Sequence, residues 1–515
     1  MKDPDIVIIG SGVGGGSMAH ALAPTGARIL ILERGPRLPQ EPENSDAEAV
    51  FVQRRYRTNE EWQSGTGQRF VPGQFHFVGG HTKFYGTAMF RFRERDFTEI
   101  AYREGNSPAW PITYAELEPW YAEAERIFGV HGRAGDDPTE PWRSSPYPHP
   151  PIPHEPVIDK LAQRLEQMGL KPFHMPSAVD LHETGRCVRC GTCDAFPCAI
   201  RAKGDAETRL IDPALRHPNV TLWPETRALR LITDEHGRKI VGVEVLRRGE
   251  RFVINASLFV LSAGAIHSAL LLQRSADSRN PQGLANSSGC VGRYYMNHNT
   301  TGLMALMPWS VNTTRFPKTL SVNDFYYGSA DDPEPLGNLQ MLGKIQEPMI
   351  RAGYPSMPRW AGRGIARHSV DMLVMSEDLP DAQSTVRPLA NDRVELNWKR
   401  TNQDVHQRFV KNTKVLLRKL GAAAVLAHPF GIETPSHQCG TVRMGLDPAK
   451  AALDPWCRAY DHPNLYVVDA SFFPSSAALN PALTVAAQAL RVGSHLANGG
   501  TSAPSGVPAC AGIIK

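Results

Sequence analysis

Asp5-Ile6-Val7-Ile8-Ile9-Gly10-Ser11-Gly12-Val13-Gly14-Gly15-Gly16 is the stretch on which the fold of this chain turns. Four consecutive β-branched residues, Ile6 to Ile9, read as a strand buried on both faces, the kind found in parallel sheets. Gly10, Gly12 and Gly15 then give G-x-G-x-x-G, and an apolar helical run follows from Met18 to Ala23. Each glycine has a physical task. One makes a tight turn, one lets backbone approach a pyrophosphate, and one lets helix pack on strand. The helix N-terminus adds free N–H groups and the positive end of a dipole. A second strand, Arg28 to Leu32, ends in Glu33, eighteen residues past Gly15, where a carboxylate takes the ribose hydroxyls of an adenosine. Together these predict a dinucleotide site rather than a glycine turn that holds nothing.

Size and composition bound the rest. At 515 residues the chain is long for one core, which favours two domains. With 41% hydrophobic and 21% charged residues, the composition is that of a soluble globular protein. A net charge of +4 is small for this length and gives no reason to invoke nucleic acid or an anionic membrane. No run approaches a membrane span, and the first strand begins too early for a signal peptide, so the expected location is the cytoplasm.

Outward from the first unit, Pro39 to Gly73 reads as a polar, irregular connection. Val78 to Ala88, with Gly79, Gly80 and Gly86 around bulky residues, is a loop whose backbone can press on a flat ligand. Thr113 and Glu116 make a capping box for a helix. Pro146 to Pro156 reads as a linker, its His149 and His154 not a metal site. Ile158 to Met168 and Ala206 to Leu215 are helical. Val241 to Leu246 and Phe252 to Ala256 form a hairpin. Leu258 to Ile266, with Ser262, Ala263 and Gly264 within it, is a further buried strand running into a glycine turn, and the helix Ser268 to Leu272 follows. From Thr301 to Trp398 short alternating runs predict an antiparallel sheet, interrupted by long loops over 309–335 and 347–367. Val405 to Leu420 is an amphipathic helix. Asn464 to Ser471 is a buried strand ending in Asp469, and Asn480-Pro481 opens a final helix.

The fold class is therefore α/β. A Rossmann-like nucleotide domain is assembled from 1–100, 200–300 and 436–500, with an α+β substrate domain at 301–435 that carries an antiparallel sheet. Residues 101–199 hold connecting helices, the linker and a cysteine cluster, and 501–515 are a disordered tail. That cluster, Cys187, Cys190, Cys193 and Cys198, holds half of the eight cysteines. Spaced thiolates can hold an iron–sulfur cluster or zinc, and they can equally form disulfides or remain free.

Four blocks in order, Gly10–Glu33, Gly79–Ala88, Ser262–Leu272 and His437–Thr484, resemble the glucose–methanol–choline (GMC) family of flavin oxidoreductases over nearly the whole chain. The resemblance implies FAD rather than NAD. It implies that Gly80, Thr82, Tyr85 and Gly86 lie against the isoalloxazine, that Ala263, Asp469 and Ala470 meet the cofactor, with the last two at the pyrophosphate, and that Asn480 and Thr484 meet the ring. In pyranose-oxidase-like relatives a loop histidine bonds covalently to FAD. Here that position is Phe84 and His81 is displaced, so noncovalent FAD is expected.

The resemblance also implies a catalytic pair, His437 and Asn480. Oxidising an alcohol removes a proton from oxygen and a hydride from carbon. Histidine has a suitable pKa for the proton, and an asparagine amide can hold the developing alkoxide. The sequence around His437 and Lys83 resembles bacterial sugar and glycoside oxidases. The expected reaction is oxidation of a secondary sugar or glycoside hydroxyl to a ketone, with oxygen or another acceptor. The alternatives are a sugar dehydrogenase that passes electrons through a metal cluster at Cys187–Cys198, an oxidase of a sterol-type alcohol, and a nucleotide-binding module without redox activity. Gln340, Asn397, Tyr326, Tyr327 and Trp360 are substrate-contact candidates by residue type alone.

Overall fold

In a computed structural model, which describes residues 3–308, 310–328 and 332–500, the opening stretch forms the strand Ile6–Ile9 and the helix Val13–Leu22. The strand lies at the centre of a five-stranded parallel sheet. Its neighbours are Ile29–Leu32 on one side and Leu258–Leu261 on the other, with Val220–Trp223 and Leu465–Val467 at the edges. All four residues of each of the three inner strands are buried, which is why those segments read as unbroken apolar runs. Five strands from four distant parts of the chain thus make one sheet. The first helix packs on the last, Ala482–Ala497, so closely that a Cβ on Gly493 would stand 2.7 Å from Ala21 Cβ. An antiparallel three-stranded sheet (Thr226–Thr233, Ile240–Arg247, Glu250–Asn255) follows the edge strand, the last two forming the expected hairpin.

A second large sheet is antiparallel. Its six strands run in the order Ala424–Pro429, Asn299–Leu306, Ser369–Ser376, Asn338–Met341, Leu320–Val322 and Pro172–His174. The helix Gln403–Lys419 buries Val405, Phe409 and Leu417 against Leu303, Val370 and Met372 of this sheet. Thr300 and Gly302 to Met304 of its second strand line the cleft that reaches the glycine-rich turn.

Three expectations need correction. The connection over Pro39–Gly73 is not merely solvated. It carries the strands Trp62–Ser64 and Arg69–Phe70, and Trp62 is fully buried against Val386, Val394 and Leu396. Val394–Asn397 accordingly leaves the large sheet and pairs with Trp62–Ser64 in a four-stranded one. The run 347–367 is not a loop. It forms the helices Glu347–Gly353 and Arg359–His368, the second of which buries only Gly362, so its sequence lacks a wide apolar stripe. The run 309–335 contains the strand Leu320–Val322, and its Trp309 and residues 329–331 lie outside the described residues, as does 501–515 with its expected tail.

Candidate active site

One cleft of about 820 Å3 runs from the glycine-rich turn, past the Val78–Ala88 loop, to the antiparallel sheet. Its nucleotide end is built by close backbone packing. A Cβ on Gly10 would fall 2.2 Å from Ser262 O, at a φ of +104° that disfavours side chains, and one on Gly15 would fall 2.0 Å from Gly10 O. Gly15 is therefore the helix-on-strand contact and faces the protein. Gly12 differs. A Cβ there would meet nothing within 4 Å, because it points into the cleft. That open space at the head of a helix is what a pyrophosphate needs.

Glu33 lines the cleft at the end of its strand, held by Ser11 Oγ (2.6 Å) and by the Gly35 N–H (2.9 Å). Gly79 and Gly80 both take positive φ, and Thr82 Oγ1 donates to Gly79 O at 2.7 Å, which fixes the loop's turn. Tyr85 OH donates to Gly204 O. A Cβ on Gly86 would crowd Lys318 Nζ at 2.3 Å, and Lys318 is paired with Asp194 at 2.9 Å. Ala263 and Ala470 line the cleft. Asp469 does too, but its carboxylate accepts from the Gly264 N–H, Ser268 Oγ and the Ser471 N–H, so it shapes that turn. Burial raises its pKa. Thr484 is placed differently. Its hydroxyl meets Tyr121 OH at 2.7 Å on the packed side of the last helix, and it is not among the residues lining the cleft. Pro481 and Ala482 put that helix's N-terminus on the cleft with no acid in its first turn.

Phe84 stacks on Phe75, ring centroids 3.9 Å apart, and His81 Nε2 is engaged by Gln74 Oε1 at 2.8 Å. The four clustered cysteines are free thiols in irregular backbone: Cys190 is exposed, Cys193 is half-buried with its pKa pushed up to about 12 by desolvation, and Cys198 Sγ accepts from the Ala202 N–H. They do not converge as a ligand set. Among the described residues, the one group of three at coordinating separation is Glu60, His76 and His267, where Glu60 already accepts from Arg34 and from Trp62 Nε1.

At the cleft's inner end His437 and Asn480 face each other, His437 Nε2 lying 3.4 Å from Asn480 Nδ2. Enclosure holds the His437 pKa well below the ordinary imidazole value, with His298 and Lys318 adding to the effect. An alcohol oxygen placed between the two could give its proton to His437 and accept from Asn480. Behind them stand two residues the sequence did not single out for this role. His298, 2% exposed, lies with Nδ1 2.9 Å from His437 Nδ1. Gln340, a candidate by type alone, donates from Nε2 to Asn480 Oδ1 at 3.0 Å. The signal for His298 was a histidine set between Asn297 and Asn299 at the head of a strand. The other candidates stand elsewhere. Asn397 donates to Gln383 O, Tyr326 OH donates to Asp96, Tyr327 packs edge-to-face against Tyr326, and Trp360 is exposed.

Comparison with known proteins agrees with this geometry. The family model of GMC oxidoreductases matches residues 13–300, and a second GMC oxidoreductase model matches 380–489. The chain is 31% identical to 6'''-hydroxyparomomycin C oxidase of Streptomyces lividus, over 96% of this chain and 92% of that protein. It is 32% identical to paromamine 6'-oxidase of Streptomyces fradiae, over 95% and 90%. Among solved structures, pyridoxine 4-oxidase from Mesorbium loti shares the fold, with a TM-score of 0.67 at 19% identity over 95% of this chain and 98% of that one. By these matches the chain belongs to the GMC oxidoreductase family, flavin enzymes that oxidise CH–OH groups.

Proposed function

We propose that this protein oxidises a secondary hydroxyl of a sugar or glycoside to a ketone, using noncovalently held FAD. The reading rests on the His437–Asn480 pair at the inner end of a cleft whose other end is open at Gly12. Bound FAD supplies the hydride acceptor, N5 of its isoalloxazine. Gly12, Gly80 and the two helix N-termini would hold it, with Glu33 at the ribose. The first domain (1–100, 200–300 and 436–500) would thus carry the cofactor, and 301–435 would present the substrate. His437 Nε2 takes the hydroxyl proton. Asn480 Nδ2 donates to the oxygen as negative charge develops there, and the positive end of the helix Ala482–Ala497, which lies on the cleft, would favour a reduced, anionic cofactor there. Noncovalent binding is supported by Phe84, which has no nucleophile, and by the engaged ring of His81. The relatives' named substrates, paromamine and hydroxyparomomycin C, support a sugar-bearing substrate.

The test is anaerobic mixing of the purified yellow protein with a panel of sugars, glycosides and aminoglycosides. Bleaching of the flavin bands and a ketone product are expected. A colourless protein that takes up no FAD overturns the cofactor, and an aldehyde product overturns the secondary hydroxyl. Reoxidation by air against reoxidation by an added quinone then identifies the acceptor.

A further inference from the structure

We propose that His298 is a positioning residue that holds His437 in the one tautomer whose Nε2 carries a lone pair toward the cleft. The inference rests on the reading of His437 as the base and says what makes it one.

The assignment follows from counting protons. His298 Nε2 lies 3.0 Å from Ser476 O. A carbonyl oxygen only accepts, so the proton is on Nε2. A neutral imidazole has a single N–H, so His298 Nδ1 is bare. That bare nitrogen is 2.9 Å from His437 Nδ1, and one of the two must donate. Only His437 is left to do so. Its N–H therefore sits on Nδ1, and Nε2 has the free pair. His298 is neutral because burial pulls its pKa down to about 4.

The opposite side of the site gives the same answer independently. Gln340 donates to Asn480 Oδ1, so Asn480 presents Nδ2, a donor, to His437 Nε2. A donor facing that nitrogen needs a lone pair there.

The backbone explains why the two rings meet. Met296 and Cys439 form an antiparallel bridge with both N–H···O bonds near 3.0 Å. Two residues on from Met296 is His298, and two back from Cys439 is His437. In an antiparallel pair those positions are opposite one another on one face. The Asn297 side-chain oxygen accepts from the His437 N–H at 3.0 Å and holds that register.

Two substitutions and one spectrum test the proposal. His298→Gln retains an N–H for Ser476 and an oxygen for His437 Nδ1. His298→Leu retains bulk and loses both. In the wild-type holoenzyme with 15N-labelled histidine, the resonance pair lost in His437→Ala is expected to show Nε2 unprotonated and Nδ1 protonated. In His298→Leu the Nδ1–H loses its acceptor, so a form protonated on Nε2 is expected to appear beside the wild-type tautomer, with flavin reduction by saturating substrate slowed about 100-fold and the substrate dissociation constant little changed. His298→Gln is expected to stay within about tenfold of wild type. A protonated Nε2 in wild type overturns the proposal. So does a His298→Leu enzyme that reduces its flavin at the wild-type rate, or a Gln variant as slow as Leu. If His298→Leu does not fold, the wild-type spectrum and the Gln variant decide. If no alcohol reduces the wild-type flavin, the proposed function fails, while the nitrogen shifts still decide the tautomer.

Discussion

Gln340 donates from Nε2 to Asn480 Oδ1 at 3.0 Å, and that contact decides which end of the Asn480 amide meets the cleft. The same Nε2 donates to Asn338 Oδ1 (2.8 Å), Asn338 Nδ2 donates to Asn323 Oδ1 (2.7 Å), and Asn323 Nδ2 donates to Asp137 Oδ2 (2.9 Å). A carboxylate only accepts, so Asp137, ion-paired with Arg93, sets the sense of each amide in the row. Replacing Gln340 by Leu leaves two buried amide oxygens without their donor, each costing about 1–3 kcal/mol. Gln340→Leu should lower both the unfolding temperature and kcat, kcat by about tenfold, with KM nearly unchanged. A variant with normal kcat would show that Asn480 orients itself.

The glycines of the opening turn should separate folding from cofactor binding. Gly12→Ala adds a methyl where the protein has open space, and the cost falls on the ligand. It should fold and unfold like wild type in the absence of FAD, yet bind FAD at least about tenfold more weakly, which fluorescence titration of the apoprotein measures. Gly10→Ala and Gly15→Ala add a methyl 2.2 and 2.0 Å from carbonyl oxygens, and both should lower the apoprotein's unfolding temperature. Equal stability losses at all three positions would remove the distinction.

These two cases mark what the sequence could reveal. Gly12 was legible because a ligand's demand on backbone produces a fixed local spacing. The strand Leu465–Val467 was legible as buried because both its faces are covered, although nothing local says that it joins a sheet begun at Ile6. Gln340 was legible only by residue type, as a substrate-contact candidate, and His298 was not legible as a site residue at all. Each acts through one partner about 140 positions away, brought near by sheet register that no local pattern records. Trp62 was missed for the same reason. A three-residue strand in polar sequence becomes core only through its neighbours at Val386 and Leu396.

His437 should govern the pH profile. Burial favours its neutral form, so its pKa lies well below the ordinary value near 6.5. The base is competent above its pKa and is lost as pH falls through it. The acid limb of kcat/KM, which reports the free enzyme, should therefore have its midpoint below pH 6.5. His437→Ala should slow flavin reduction by about 10²–10⁴-fold, leave FAD bound, and abolish that limb. An acid limb centred above 6.5 that survives in His437→Ala would assign the proton to another group.

Lys203 ties the Val78–Ala88 loop to the cysteine segment. It is 2% exposed, and its ammonium donates to the carbonyls of Tyr85, Cys193 and Phe196, each at 2.8 Å. A fourth carbonyl, Lys83 O, lies 3.3 Å away, so one cation gathers backbone acceptors from segments more than a hundred residues apart and closes both turns. Lys203→Met preserves the stem and removes the charge, which leaves those carbonyls unsatisfied at about 1–3 kcal/mol each. The unfolding temperature should drop. Cys193, half-buried with its thiol pKa raised by desolvation, should react with a thiol reagent faster than in wild type, while exposed Cys190 reacts at the same rate in both proteins and serves as the internal reference. FAD affinity should weaken as well, since Tyr85 and Gly86 both line the cleft. If Lys203→Met left the Cys193 rate and FAD binding untouched, the two segments would be held by other contacts and the ammonium would be dispensable.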